Sequence, residues 1–423
     1  VTEKELNDKV RRILRLVFRT NMAKERHFGS FGTEEHALAG RTIAQQGIVL
    51  LQNKKNVLPV DASKVKRVLV VGENAVKRMT VGGGSSSLKA KYEVSPLEGI
   101  KARLGDGAEV IYSPGYASPA VKEQDVLGAE EPDKMEIDAD ALRNDAVKWA
   151  KDADVVFFVG GLNKNDGQDC EGNDRSSLSL PYEQDQLIAE LAKANPNTVV
   201  VIISGNAVAM PWVKQVPAIV EAWYSGTEAG NALASILFGD VNPSGKLPFT
   251  FPARLEDNGA HALGEHPGDS INVKYNESIF VGYRWADKQK KTKPLFAFGH
   301  GLSYTTFAYG KATATKKSLT ADETITFTVP VKNTGSREGS EVVQLYIGDK
   351  KSALPRPIKE LKGFSKVKLA PGEEKMVSFT IDKTDLSYYD DTQNRWVAEP
   401  GAFEAFVGAS SDDIRSTVSF ELR

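Results

Sequence analysis

Val155-Val156-Phe157-Phe158-Val159-Gly160-Gly161 and Val199-Val200-Val201-Ile202-Ile203-Ser204-Gly205 decide the fold. Each is a short unbroken apolar run that ends in glycine, as expected of a strand buried on both faces. Val68-Leu69-Val70-Val71-Gly72 repeats the pattern, and Ile219-Val220-Glu221-Ala222-Trp223 does so less cleanly. Helical patterns intervene at about 140–152, 182–194 (opened by Pro181) and 228–238. The alternation predicts a three-layer α/β sandwich over 35–253, its sheet mostly parallel.

On the N-terminal side, Leu6, Val10, Ile13, Leu14, Val17 and Phe18 recur at helical spacing. They make an amphipathic helix whose apolar stripe must lie against something, within a linker region over 1–34. Thr33 is the expected N-cap of a second helix that stops near Gly47. On the other side, 254–305 reads as a connecting segment whose first part is polar and rich in Gly and His. From 306 to 423 the period becomes two, as in Ile325, Phe327, Val329 and Val331, then Val343, Leu345 and Ile347. Val377, Phe379 and Ile381, and Phe403, Ala405 and Val407, continue it. Turn signals fall between them at Asn333-Thr334-Gly335, Pro371-Gly372 and Pro400-Gly401. This predicts an all-β antiparallel sandwich of immunoglobulin-like size. The acidic stretch 116–139, with Pro119 and Pro132, reads as a long mobile loop.

Composition excludes several classes. In 423 residues, Lys and Arg total 54 against 56 Asp and Glu, so no basic excess favours nucleic acid or a membrane surface. The longest apolar runs, about seven residues, are too short to span a bilayer. One cysteine, Cys170, rules out an internal disulfide and a multi-cysteine zinc site. The five histidines show no metal-ligand spacing, with His261 and His266 read as solvated, and nothing calls for a cofactor. A first residue of Val1 without a signal peptide reads as a processed or trimmed product.

The chemistry-bearing stretch is Asp166-Gly167-Gln168-Asp169-Cys170-Glu171-Gly172-Asn173-Asp174-Arg175, just beyond the 155–159 strand. Ligand sites of open α/β sheets concentrate at such strand ends. Crowded carboxylates raise the pKa of one member, and an Arg keeps another ionised, which is what a general acid requires. From spacing alone, a solvated acidic loop holding an Asp–Arg pair is the commoner outcome. Gly82-Gly83-Gly84-Ser85-Ser86-Ser87 lacks the order of a P-loop and fits either a turn or a backbone surface for a sugar. Ser204-Gly205 and Ser225-Gly226 lack a nucleophile elbow, which argues against a serine hydrolase. Cys170 beside Glu171 is a poor nucleophile, and Trp212 and Trp223 read as core.

Taken in order, these segments resemble glycoside hydrolase family three, the β-glucosidase and β-xylosidase family. The resemblance rests on Gly47–Asn53, Leu58-Pro59, Glu171–Pro181 with Gln184, Asn197–Val201 and Ser204-Gly205-Asn206. Pro211-Trp212, Gly226–Ala234, Asp240–Pro248, Gly282-Tyr283-Arg284 and Phe298–Phe307 extend it over nearly the whole chain. It implies an α/β sandwich followed by a fibronectin type III-like domain, and retaining hydrolysis of terminal β-glycosides. The family's E-G-x-D-R pattern then places the acid/base at Glu171, with Asp169 the competitor for that role. Asp169, Asp174 and Arg175 are the supporting residues, Asp174 as the partner of Arg175. Ser85 is the best match for a sugar-touching serine, with Ser86 beside it.

A (β/α)8 barrel bearing the aspartate nucleophile is implied as well, yet about 35 N-terminal residues cannot hold its roughly 250. The expectation is the C-terminal portion of a longer enzyme, partnered by a barrel chain or fragment and by a β-glucoside oligosaccharide or aryl β-glucoside. A second copy of the chain is a further candidate partner. The competing readings are a non-catalytic carbohydrate-binding or assembly module and a β-xylosidase, and the resemblance points to a secreted or periplasmic setting.

Overall fold

A computed structural model describes residues 1–20, 29–80, 88–118, 138–164, 167–172, 174–269, 271–289 and 292–423. It divides into two compact units, Val1–Ala39 and Gly40–Arg423. The acidic stretch within 119–137 and the glycine-serine run at 81–87, Ser85 and Ser86 included, lie outside the described residues.

In the first unit, α1 (Glu3–Arg19) opens with a capping box: Thr2 accepts from the Glu5 amide while Glu5 reaches back to the Thr2 N–H. Leu6, Val10, Ile13, Leu14 and Phe18 form the expected stripe and are exposed. The helix α2 (Glu34–Gly47) begins where Thr33 Oγ1 accepts from the His36 amide at 3.3 Å, as its sequence predicts.

The second unit begins with a six-stranded sheet. Its strands are β1 (Val49–Asn53), β2 (Arg67–Val71), β3 (Glu109–Ser113), β4 (Val155–Gly161), β5 (Thr198–Ile203) and β6 (Ala218–Glu221). They are ordered β1-β6-β5-β4-β2-β3, all parallel except β1, which runs against β6. Successive side chains of a strand point to opposite faces. Val68, Val70, Phe157, Val159, Val199 and Val201 therefore pack on one side, with Ile100 of α3 (Pro96–Leu104) and Leu237 of α6 (Ala229–Leu237). Leu69, Val71, Val156, Phe158, Val200 and Ile202 pack on the other, with Ala146 of α4 (Ala139–Ala150) and Leu187 of α5 (Gln184–Ala194). Both faces are covered, which is why these runs read as unbroken apolar.

Two strands escape the sequence reading, β1 and β3. Both are edge strands, and β3 is exposed at Glu109 and only half-buried along its middle. The helix expected from Pro181 starts later, at Gln184, because Tyr182 and Glu183 adopt left-handed backbone with φ of 59° and 57°.

The C-terminal sandwich alternates as predicted. Its strands are β7 (Phe307–Tyr309), β8 (Thr313–Ala314), β9 (Ser318–Leu319), β10 (Ile325–Asn333), β11 (Gly339–Asp349) and β12 (Glu360–Leu369). They continue with β13 (Glu374–Ile381), β14 (Tyr388–Asp390), β15 (Arg395–Val397), β16 (Gly401–Gly408) and β17 (Ile414–Leu422). One sheet is ordered β13-β10-β7 with β8 beside β10, the other β12-β11-β16-β17-β9. In β10, Ile325, Phe327, Val329 and Val331 face Val343, Leu345 and Phe403 in a dry core. Only β9 departs from antiparallel pairing, lying parallel to β17.

Candidate active site

Strand order locates the crevice. From β2 the chain crosses to β3 on one side, then returns to β4 on the other, so the carboxyl ends of β2 and β4 flank a topological switch point. The acidic stretch leaves from this point. It departs at Gly161, with φ of 115°, where a Cβ would lie 2.4 Å from the Ile203 carbonyl oxygen. Only glycine permits that turn.

Beyond it the backbone closes on itself. The Asp169 amide donates to the Asn163 carbonyl at 3.0 Å, and the Asn163 amide donates to Gln168 Oε1 at 2.9 Å. Gln168 Nε2 donates in turn to the Tyr182 hydroxyl oxygen at 2.9 Å. Asp169 then meets the neighbouring strand ends. Its carboxylate accepts from the Gly205 amide at 2.6 Å, the Tyr224 hydroxyl at 2.7 Å and Asn206 Nδ2. Burial together with the Asp169 charge pushes the Tyr224 hydroxyl far above its ordinary pKa, so it stays a donor. Lys164 Nζ lies 3.8 Å from the centre of the Tyr224 ring.

Arg175 fastens the far end of the stretch to the same turn. Its guanidinium donates to Asn206 Oδ1 and, at 2.7 Å, to the Ala207 carbonyl, while Nη1 is buried without a hydrogen-bond partner among the described residues. Burial lowers the Arg175 pKa, and the Asp169 charge opposes that effect. Glu171 stands between these two fastenings, exposed, followed by Gly172 with φ of 91°.

The expected Asp174–Arg175 pair is a correction. Asp174 Oδ2 lies 3.6 Å from His266 Nε2, and Arg175 turns toward Asn206 instead. Adjacency in sequence does not bring two side chains together, and here the two turn to different partners. His266 also lies against His261, ring centres 4.8 Å apart and the rings tilted by 53°, so it is less isolated than its polar surroundings imply. Trp212 is core as expected, with Nε1 donating to Asp185 Oδ1 at 2.7 Å. Trp223 is not fully so: it sits half-buried at the end of β6 with φ of 55°, its Nε1 donating to the Gly47 carbonyl. Among the described residues no three His, Cys, Asp or Glu side chains group as metal ligands, and no helix is long and apolar enough to cross a membrane.

A cleft of about 530 Å3 opens beside this turn, lined by Leu178, Gly205, Asn206, Ala207, Phe249, Thr250 and Pro252, and by residues of the connecting segment that include Asn258, Glu277 and Phe280. Its size is that of a small-molecule site. Sequence reasoning missed Asn206, Tyr224 and Glu221, although Ser204-Gly205-Asn206 and Glu221-Ala222-Trp223-Tyr224 both end strands at the carboxyl edge. That placement was the available signal.

The model of the glycosyl hydrolase family 3 C-terminal domain matches residues 48–304, and that of the fibronectin type III-like domain matches 341–411. A β-glucosidase of Bacteroides ovatus is 52% identical over 98% of this chain and 56% of its own length. A thermostable β-glucosidase of Acetivibrio thermocellus is 39% identical over 98% of this chain and 52% of its own. The chain thus spans about half the length of these curated relatives. The crystal structure of a β-glucosidase from Kluyveromyces marxianus superposes with a TM-score of 0.86 at 31% identity, covering 100% of this chain and 66% of that one. With more than half of its residues matched by the family's own model, the chain belongs to glycoside hydrolase family 3, as its C-terminal domain followed by a fibronectin type III-like domain.

Proposed function

We propose that this chain carries the acid/base half of a retaining, exo-acting β-glucosidase that releases terminal β-D-glucosyl residues. Glu171 is the general acid/base, and an aspartate on a (β/α)8 barrel supplies the nucleophile. The observation that carries this reading is the division of labour inside Asp169–Arg175. Asp169 is committed to three donors at the strand ends, two of them Gly205 and Asn206 of the cleft lining, while Glu171, two residues on, is exposed. A carboxylate with its lone pairs so occupied is an anchor, and a proton donor must reach substrate.

In this mechanism the nucleophile forms a bond to the anomeric carbon as the glycosidic C–O bond breaks. Glu171 delivers its proton to the departing oxygen. As a carboxylate it then takes a proton from water, whose oxygen attacks the anomeric carbon and releases the sugar. Retention requires the two carboxyl groups to lie about 5–5.5 Å apart. The relatives named above are β-glucosidases, which supports glucosides over xylosides as substrates.

The test is Glu171→Ala in the barrel-containing enzyme. Hydrolysis of cellobiose, a poor leaving group, falls by about 10²–10⁴-fold, while glycosylation by a dinitrophenyl β-glucoside is largely spared. Azide restores turnover of the latter as glucosyl azide. An unaltered rate on cellobiose ends the assignment, and sugar binding without any turnover supports a non-catalytic module instead.

A further inference from the structure

Glu221 is the most deeply buried carboxyl at this edge of the sheet, fully inaccessible at the end of β6, and the mechanism above does not use it. Its two oxygens each lie 3.3 Å from Ser204 Oγ, and Oε1 also accepts from the Trp223 amide at 3.2 Å. Ser204 Oγ lies closer, at 2.8 Å, to the Asn206 carbonyl. A serine hydroxyl has one hydrogen, and the shorter contact claims it. Asn206 in turn holds Asp169 through Nδ2 and Arg175 through Oδ1. The two strand-end turns that fasten the Asp169–Arg175 loop, 204–207 and 222–224, therefore meet at one carboxyl.

We propose that Glu221 is a positioning residue for the acid/base loop, bracing the turns after β5 and β6 through Ser204 and the Trp223 amide so that Asp169 and Arg175 fix the loop that carries Glu171. Its neutral carboxyl donates to Ser204 Oγ, Ser204 donates to the Asn206 carbonyl, and the second Glu221 oxygen receives the Trp223 N–H. Burial, with the Asp169 charge adding in the same direction, raises the Glu221 pKa well above its ordinary 4.5 and so favours this neutral form. The same brace supports the left-handed backbone at Trp223, whose ring packs edge-on against the cleft residue Phe249 at 5.8 Å.

This inference rests on Glu171 as acid/base, and its test reads the bracing separately from the chemistry. In the barrel-containing enzyme, Glu221→Ala lowers kcat on cellobiose by roughly 10–100-fold, the scale of a misplaced catalytic group. It lowers kcat on dinitrophenyl β-glucoside far less and leaves KM nearly unchanged. Glu221→Gln keeps a donor for Ser204 and an acceptor for Trp223, so it stays within about twofold of the parent. Ser204→Ala, which leaves the carboxyl in place, reproduces the selective loss and serves where Glu221→Ala fails to fold. Amide hydrogen exchange on the same protein quickens in 167–172 and 204–207 in the Ala variants, with β10 to β17 unmoved. Equal losses on both substrates, a Gln variant as impaired as Ala, or unchanged exchange in those segments overturns the proposal. Should Glu171→Ala retain full activity, the acid/base reading fails alone, because the exchange measurement still decides the brace.

Discussion

Ser204, Glu221 and Asn163 are as deeply buried at the carboxyl edge of the parallel sheet as Val329, Val343 and Leu345 are between the two sheets of the C-terminal sandwich. The sandwich meets burial chiefly with apolar side chains. Along β10, Ile325, Phe327, Val329 and Val331 point inward, and the buried Asn333 closes the row with its Nδ2 donating to the Arg337 and Leu369 carbonyls. Thr326 and Thr328 pair with Thr380 and Ser378 on the other face. The sheet edge keeps its polar groups and binds them to one another. Such networks are worth having only if their members are satisfied, since a stranded buried group costs about 1–3 kcal/mol. Backbone strain divides the same way. Among non-glycine residues, Tyr182, Glu183 and Trp223 have positive φ around the candidate site, whereas in the sandwich only the hairpin residue Asn394 does so among the described residues. The sandwich spends its sequence on packing, the edge on holding side chains where chemistry needs them.

The contrast is breakable. Phe327→Ala, which empties a fully buried position against Phe420, destabilises the protein by about 3–5 kcal/mol in thermal unfolding. In the barrel-containing enzyme proposed above, below the transition, it leaves the ratio of cellobiose to dinitrophenyl glucoside hydrolysis unchanged; a shift in that ratio would join the two regions energetically. Asp169→Asn does the reverse. It forfeits charge-assisted bonds worth about 1.5–3 kcal/mol locally. Proteolytic nicking within 167–175 then quickens while the C-terminal strands remain resistant.

The third test uses pH. Because the folded pKa of Glu221 is raised above 4.5, its contribution to stability is fully present below 4.5 and is lost as pH rises toward the folded value. Glu221→Gln escapes that loss, so its stability relative to the parent climbs above pH 4.5 by up to about 1.4 kcal/mol per unit and is flat below. A flat difference throughout would mean that the carboxyl ionises as readily folded as unfolded. The smallest effect belongs to Trp396→Ala, on an exposed hairpin face beside Tyr389. It stays within about 0.5 kcal/mol.

Legibility followed the same divide. The doubly buried runs at 155–161 and 199–205 and the alternation at 325–331 announce their strands because a single physical demand, apolar burial, shapes every residue. β1 and β3 answer to less: Gln52 and Asn53 in β1 are only half-buried, and β3 is exposed at Glu109, so neither carries a clean period. At the site, Asp169, Glu171, Asp174 and Arg175 were visible as one charged stretch. What joins them to Asn206 and Tyr224 was not, since those contacts span 31 to 55 residues of sequence. Strand order brings them together, and a one-dimensional pattern holds no record of it.

The two fastenings at Asp169 and Arg175 also set a leash. A chain extends at most about 3.6 Å per residue, so the Glu171 Cα, two residues from the first anchor, ranges no more than roughly 7 Å from the Asp169 Cα, and its carboxyl only a side chain's length further. A carboxyl so short-tethered has no sweep with which to search for a bond. With Glu171 as the proposed acid/base, the sugar and whatever surface presents it must travel the remaining distance and arrive already aimed.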